Sequence, residues 1–250
     1  MEEEAEYGFI VNVDAQGSGL LSDTEKPGMR RRLYEVTNAA FEQARIRAPR
    51  LYQEDRGDGI LSVLAPDVPP QRVVGEWLEY LHQNLRQINR DLNKPLRLRV
   101  GLHVGPVTPD AHGRSGRAVD LACRLGDCDT AKAILKAAAD APLVVVASDR
   151  LYEDVVLAGG RWVEPDRYRR HEVELKEGRR AAWFTVPGLS QPPDPATAAK
   201  DVRSEPPQPQ PQPQGTGDSF VQNNHHHGSG QFIANGNVDT LHINQYGGDR

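Results

Sequence analysis

Two aspartates stand where a chain would place ligands for a hard cation. Asp14 ends the apolar run 9–13 (FIVNV) and opens the loop Ala15-Gln16-Gly17-Ser18-Gly19. Asp58 lies in the turn Arg56-Gly57-Asp58-Gly59, just ahead of the apolar run 60–64 (ILSVL). If the two runs are neighbouring strands, both carboxylates emerge at one end of the sheet. Two hard oxygen ligands beside a glycine-bearing loop suit Mg2+, which keeps several waters and shares phosphate oxygens. A cation held there lowers the pKa of an attacking hydroxyl and neutralises phosphate charge. Aspartate is also at home in turns with no chemistry attached, so it is the pair, with its flanking sequence, that carries this reading.

The elements that must position the pair are legible as periods. Run 9–13 is continuously apolar, as in a strand buried on both faces, and so is run 143–147 (LVVVA). Over residues 29–48, Leu33, Val36, Ala40, Phe41 and Ala44 recur at helical spacing. Val73, Val74, Trp77, Leu78, Leu81, Leu85 and Ile88 mark a long amphipathic helix that stops before Pro95. Leu98, Val100, Leu102 and Val104 alternate with Arg97, Arg99, Gly101 and His103. That alternation predicts a strand with one polar face, on which His103 is exposed or locally satisfied. Helices are expected over 117–125 and 130–139, with Ser148 as the N-cap of another. A hairpin closes the domain, its strands at 172–175 and 181–186 around Glu177-Gly178. The alternation predicts the α+β class: a mixed or antiparallel sheet with helices on one face, not a doubly wound parallel sheet.

Bulk composition excludes several functions. A chain of 250 residues, 38% hydrophobic, is long enough for one ordinary domain and a tail. Its formal charge of −5 argues against a nucleic-acid partner, which calls for a basic face. No apolar run approaches the roughly 20 residues that cross a bilayer, and the start MEEEAEY is acidic where a secretory signal is basic. A cytoplasmic protein with no membrane partner is expected. Cys123 and Cys128 are read as buried structural thiols, and Arg30, Arg31 and Arg32 as a solvated helical turn. Three zones follow: a domain over 1–187, a Pro/Gln-rich disordered linker over 188–218, and an Asn/Gly-rich segment over 219–250. Within the last, run 240–245 (TLHINQ) alternates as a one-sided strand would. The tract His225, His226 and His227 receives no specific role.

Five segments, in order, resemble the catalytic domain of the class III nucleotidyl (adenylate/guanylate) cyclases. VDAQGSG resembles the end of the first strand, where Asp is followed by a small residue, any residue and Gly. EDRGDGILSVL resembles the second Gly-Asp and its strand, and LRVGLHVGPV the central strand and turn. GRSGRAVDLACRL resembles the helix that reads Gly-x-x-Val-Asn-x-Ala-x-Arg, and VELKEGRRAAWFTV the last hairpin with its Val-x-Val-Lys-Gly pattern. The resemblance spans about residues 7–187 and implies a ferredoxin-like core that binds a nucleoside triphosphate and two divalent cations, Mg2+ or Mn2+. The implied product is a 3′,5′-cyclic nucleotide, with pyrophosphate released. By the same resemblance, Asp14 and Asp58 are the metal ligands and Gly17 is the glycine of the nucleotide loop. Arg124 steadies the transferred phosphoryl group, a task suited to a fixed and always charged fork, and Lys176 contacts phosphates. The family works as head-to-tail homodimers, with metal ligands from one subunit and the arginine helix from the other.

Departures from the family are equally specific. Asp120 stands where the family has a ribose-binding asparagine, and an ionised carboxylate accepts hydrogen bonds but donates none. Glu54, four residues before Asp58, occupies the base-selecting position that is glutamate in guanylate and lysine in adenylate cyclases. Its usual partner falls by counting at Gly113, which has no side chain, while Asp110 and His112 are near enough in sequence to substitute. The base therefore stays open, pyrimidines included. These departures keep alive a second reading, a catalytically degenerate cyclase-homology module that binds nucleotide or acts as an adaptor. Residues 219–250 resemble the amyloid-signalling motifs at the termini of bacterial immune-type proteins. With the domain, they resemble a divergent actinobacterial-type member that reaches an effector partner through its tail, in bacterial signalling or antiphage defence.

Overall fold

The computed structural model describes residues 4–197, so the segment 219–250 and most of the Pro/Gln-rich stretch lie outside the described residues. Eight strands form one sheet: β1 (Glu6–Ala15), β2 (Leu51–Asp55), β3 (Gly59–Leu64), β4 (Leu98–Asp110), β5 (Gly113–Ser115), β6 (Leu143–Ser148), β7 (Arg169–Leu175) and β8 (Gly178–Thr185). Their order is β2-β3-β1-β4-β6-β8-β7, with β5 paired to the far end of β4. All pairings are antiparallel except β4 with β6. A parallel pair needs a crossover, here α4 (Arg117–Asp127) and α5 (Asp129–Ala137). Other helices include α1 (Lys26–Gln43), α2 (Pro70–Arg72) running through the π-helical turn Val73–Trp77 into α3 (Leu78–Asn89), and α6 (Asp149–Leu151), which continues as the π-helical turn Tyr152–Val156. Among the described residues no helix is long and apolar enough to cross a membrane.

Helices cover both faces of the sheet, not one. Val11, Val13, Val100, Leu102 and Val145 pack with Leu33, Phe41, Trp77 and Leu81 of α1, α3 and the turn between α2 and α3. Ile10 and Leu61 pack with Ala118, Val119 and Ala122 of α4, and Val144, Val146 and Phe184 with Leu125, Ile134 and Leu135. The cause is in the strands themselves: runs such as LVVVA are apolar on both faces, and each face must be removed from water.

The supposedly polar face of β4 is a helix contact. A Cβ on Gly101 would lie 2.0 Å from the carbonyl oxygen of Ala122 and 2.7 Å from the Gly126 nitrogen, and one on Gly105 would lie 2.8 Å from the Ala118 Cβ. Ala118, Ala122 and Gly126 recur every four residues and so share one face of α4. Small residues on both partners bring the helix onto the strand. His103, between the two glycines, is satisfied rather than exposed: its Nδ1 lies 2.7 Å from Ser148 Oγ, and burial pushes its pKa down to about 4. Ser148 caps α6 as expected, its Oγ accepting from the Leu151 N–H at 3.2 Å.

Two boundaries differ from the sequence reading. α1 begins at Lys26 and stops at Gln43, because Arg45 takes a left-handed conformation at φ 57°. Edge strand β2 carries the polar sequence LYQED, half-buried over most of its length, and has no alternation to read. Packing also continues past residue 187: Gln191 Nε2 donates to the Asp166 carbonyl at 3.2 Å, and Pro192 is buried. Cys128 is buried and Cys123 half-buried, and burial raises the pKa of both thiols.

Candidate active site

The antiparallel register of β1 and β3 brings the two aspartates together. Asp14 is opposite Gly59, the residue after Asp58, and the Ala15 N–H donates to the Asp58 carbonyl at 3.0 Å. Asp58 accepts from Ser18 Oγ, which comes from the loop above it. Gly17 begins that loop at φ 74°, a conformation glycine adopts without the penalty of a Cβ. Ser18, Gly19, Gly57 and Asp58 line a cleft of about 540 Å3, with Lys26 and Arg30 on its α1 side. Arg30 is therefore not simply solvated. α1 starts a turn earlier than its apolar period suggests, and Arg30 is carried to the β2–β3 turn, where it pairs with Asp55.

Beneath this edge lies a residue that sequence reasoning left as part of a polar strand face. Arg99 is buried, and its guanidinium reaches the Asp14 carboxylate, Gln16 Oε1 at 2.7 Å, Asp127 Oδ1 at 3.3 Å and the Gly126 carbonyl at 3.1 Å. It thereby joins β1, β4 and the end of α4. A charged fork can be buried when every donor finds a partner. The signal available in the sequence was an arginine inside a strand pattern whose facing residues were glycines. Burial pushes the Asp14 pKa up to about 6; Arg99 opposes the rise, and the nearby Asp58 carboxylate adds to it. Among the described residues, no group of three or more His, Cys, Asp or Glu side chains gathers as a metal cage.

The other expected residues gather around α4. Glu54 and Gly113 are neighbours: a Cβ on Gly113 would lie 2.8 Å from Glu54 Oε2 and 3.0 Å from Tyr52 Oη. The Glu54 carboxylate occupies the room a side chain at 113 would need, accepting from Tyr52 Oη at 3.1 Å and pairing with Arg56 at 3.0 Å. Asp120 is exposed on the first turn of α4, where a negative charge complements the helix dipole. Arg124, one turn further on, is half-buried and forms an ion pair with Glu177. After burial, which raises the Cys123 pKa, the charges of Arg56, Asp120, Glu54 and Arg124 are what this half-buried thiol feels. Lys176 is exposed in the β7–β8 turn beside Glu177. Asp110 and His112 cap the β4–β5 turn locally, Asp110 Oδ1 accepting from the His112 N–H at 2.7 Å.

The architecture has counterparts among solved structures. An adenylate/guanylate cyclase/hydrolase from Silicibacter pomeroyi aligns at TM-score 0.53 and 19% identity, over 74% of this chain and 98% of its own. The guanylyl cyclase Cya2 aligns at TM-score 0.52 and 17% identity, over 75% of this chain and 96% of its own. No family model matches the chain, and no curated protein matches it. The described domain thus has the α+β core of the class III cyclase catalytic domains. Identity this low defines a fold and leaves function to the site.

Proposed function

We propose that the chain is a class III-type nucleotidyl cyclase. The 3′-hydroxyl oxygen of a nucleoside triphosphate bonds to the α-phosphorus, the α–β bridging bond breaks, pyrophosphate leaves, and the hydroxyl proton passes to water. The observation that carries this reading is the meeting of Asp14 and Asp58 at one end of the β1–β3 pair. Two carboxylates, one half-buried and held at a pKa near 6 mainly by desolvation and partly by the other, fit a divalent cation such as Mg2+ or Mn2+, whose charge relieves that opposition. When bound, the cation pair would acidify the hydroxyl and screen the phosphates.

The chain's own residues have distinct tasks in this proposal. Asp14 and Asp58 hold the cations, and Arg99 keeps the Asp14 carboxylate aimed. Gly17 lets the loop approach the phosphates, Arg124 neutralises charge on the phosphoryl oxygens, and Lys176 takes the outer phosphates. Asp120 accepts from a ribose hydroxyl, and Glu54 lies where the base is read. A head-to-tail homodimer would bring the carboxylate edge of one subunit to the α4 side of the other. Purified protein, incubated with Mg2+ or Mn2+ and each of the four ribonucleoside triphosphates, should yield a cyclic nucleotide from at least one. No product from any of them, with Asp58→Ala indistinguishable from wild type, would remove the proposal.

One observation favours a second reading. Asp120 places an extra negative charge near the triphosphate and lacks the donor of asparagine, as suits a module that binds nucleotide without turnover. Calorimetry showing tight binding with no product would select it, and so would activity gained on Asp120→Asn. In either version residues 219–250 are proposed to recruit an effector in bacterial signalling or antiphage defence. A peptide of these residues that stays monomeric would count against that role.

A further inference from the structure

The ion pair between Arg124 and Glu177 has no task in the mechanism above. Leu175 pairs with Gly178, so Lys176 and Glu177 alone form the connection between β7 and β8. In the cyclase hairpin pattern glycine directly follows lysine; here Glu177 stands between Lys176 and Gly178. The turn is held near the helix by apolar packing, since Leu175 and Leu121 border the cluster that contains Leu125 and Val173. That packing presents the Glu177 carboxylate to Arg124 Nη1. The two side chains remain 29% and 47% exposed, so the pair stands at the edge of water. An exposed pair contributes little to folding and exchanges partners readily.

We propose that Glu177 is an internal competitor for Arg124. In the free protein its carboxylate positions the guanidinium and occupies it. Phosphate oxygens of a nucleoside triphosphate then displace the carboxylate, which swings into solvent. The inference rests on reading Arg124 as the phosphoryl-contacting residue. A planar guanidinium fork binds carboxylate and phosphate with the same geometry, so the two anions exclude each other. Glu177 therefore sets the threshold of polyphosphate at which the site fills.

The test is calorimetric titration of the full chain with inorganic tripolyphosphate in the presence of Mg2+. Wild type, Glu177→Gln and the same substitution in an Arg124→Gln background are compared. Glu177→Gln should bind about two- to fivefold more tightly at low salt, the range set by an exposed ion pair. The gain should shrink at high salt and vanish in the Arg124→Gln background. Its melting temperature should stay within error of wild type. Equal or weaker binding by Glu177→Gln overturns the proposal, as does an undiminished gain without Arg124. Failure of both proteins to bind overturns it together with the phosphate role of Arg124. The turnover assay separates the two ideas. Cyclic product with unchanged affinity sinks the competitor alone, whereas tighter binding without product sinks catalysis alone.

Discussion

The carboxylate edge of the proposed site is made of strands, and the arginine side is made of a helix and a turn. Asp14 and Asp58 are tied to adjacent strands by register, and Arg99 lies buried between Asp14 and the end of α4. Arg124 is half-buried and Asp120 exposed on α4, and Lys176 is exposed in a two-residue connection. The first region is preorganised, because moving either aspartate means breaking sheet pairing or a multiply bonded guanidinium. The second is adjustable, because its charges face water and choose among partners. A site with one rigid and one yielding half suits a reaction in which cations are held in place while phosphate contacts form on closure.

That contrast can be broken in several places. The largest effect expected is on turnover: Asp58→Ala should lower kcat by about 10²- to 10³-fold, the size seen when one charge-stabilising group is lost. Its fold, followed by circular dichroism, should be unchanged. Retained turnover would mean that the strand edge is not the working half. Next in size is stability. Arg99→Met leaves Asp14 without its buried partner and should cost about 3 kcal/mol or more in urea unfolding, whereas Arg124→Met should cost less than about 1 kcal/mol. Comparable losses would erase the distinction between the halves.

A smaller effect tests the packing that joins them. Gly101→Ala places a methyl against the Ala122 carbonyl, and about 1–3 kcal/mol of destabilisation is expected from overpacking. Unchanged unfolding would show that α4 is free to move off β4.

The smallest effect sharpens the cation assignment through pH. Burial holds the folded-state pKa of Asp14 up at about 6, above the 3.8 of a free aspartate, so between these values the folded protein holds a proton that the unfolded chain releases. This group's contribution to stability is therefore present below pH 4 and lost as pH rises through 6. A divalent cation binds only the ionised carboxylate. Added Mg2+ should therefore raise the melting temperature more at pH 7.5 than at pH 5, and by less in Asp58→Ala. A pH-independent Mg2+ effect would place the cation elsewhere.

Much of the frame was legible before any coordinates. The runs FIVNV, ILSVL and LVVVA became central strands because continuous apolar stretches of that length have few other ways to bury themselves. Glycine before Asp58 and after Asp14 marked the turns. Strand β2 was not legible, since LYQED has neither alternation nor a continuous apolar run and owes its pairing to an edge left open by β3. Arg99 was read only as part of a polar strand face, because period-2 alternation marks two faces without saying what covers each.

Residue types alone determined that this chain could hold a cation at two strand ends, and that a fixed arginine follows on a helix. They also determined where the chain departs from the pattern it resembles, at Gly113 and Asp120. Only the tertiary structure decided that Glu54 fills the space left by Gly113, that Arg99 braces Asp14, and that Glu177 has taken Arg124. The physical reason is separation along the chain. Local spacing encodes the period of an element, but the partner of a charged side chain lies 53 to 85 residues away in these cases and is chosen by how faces pack.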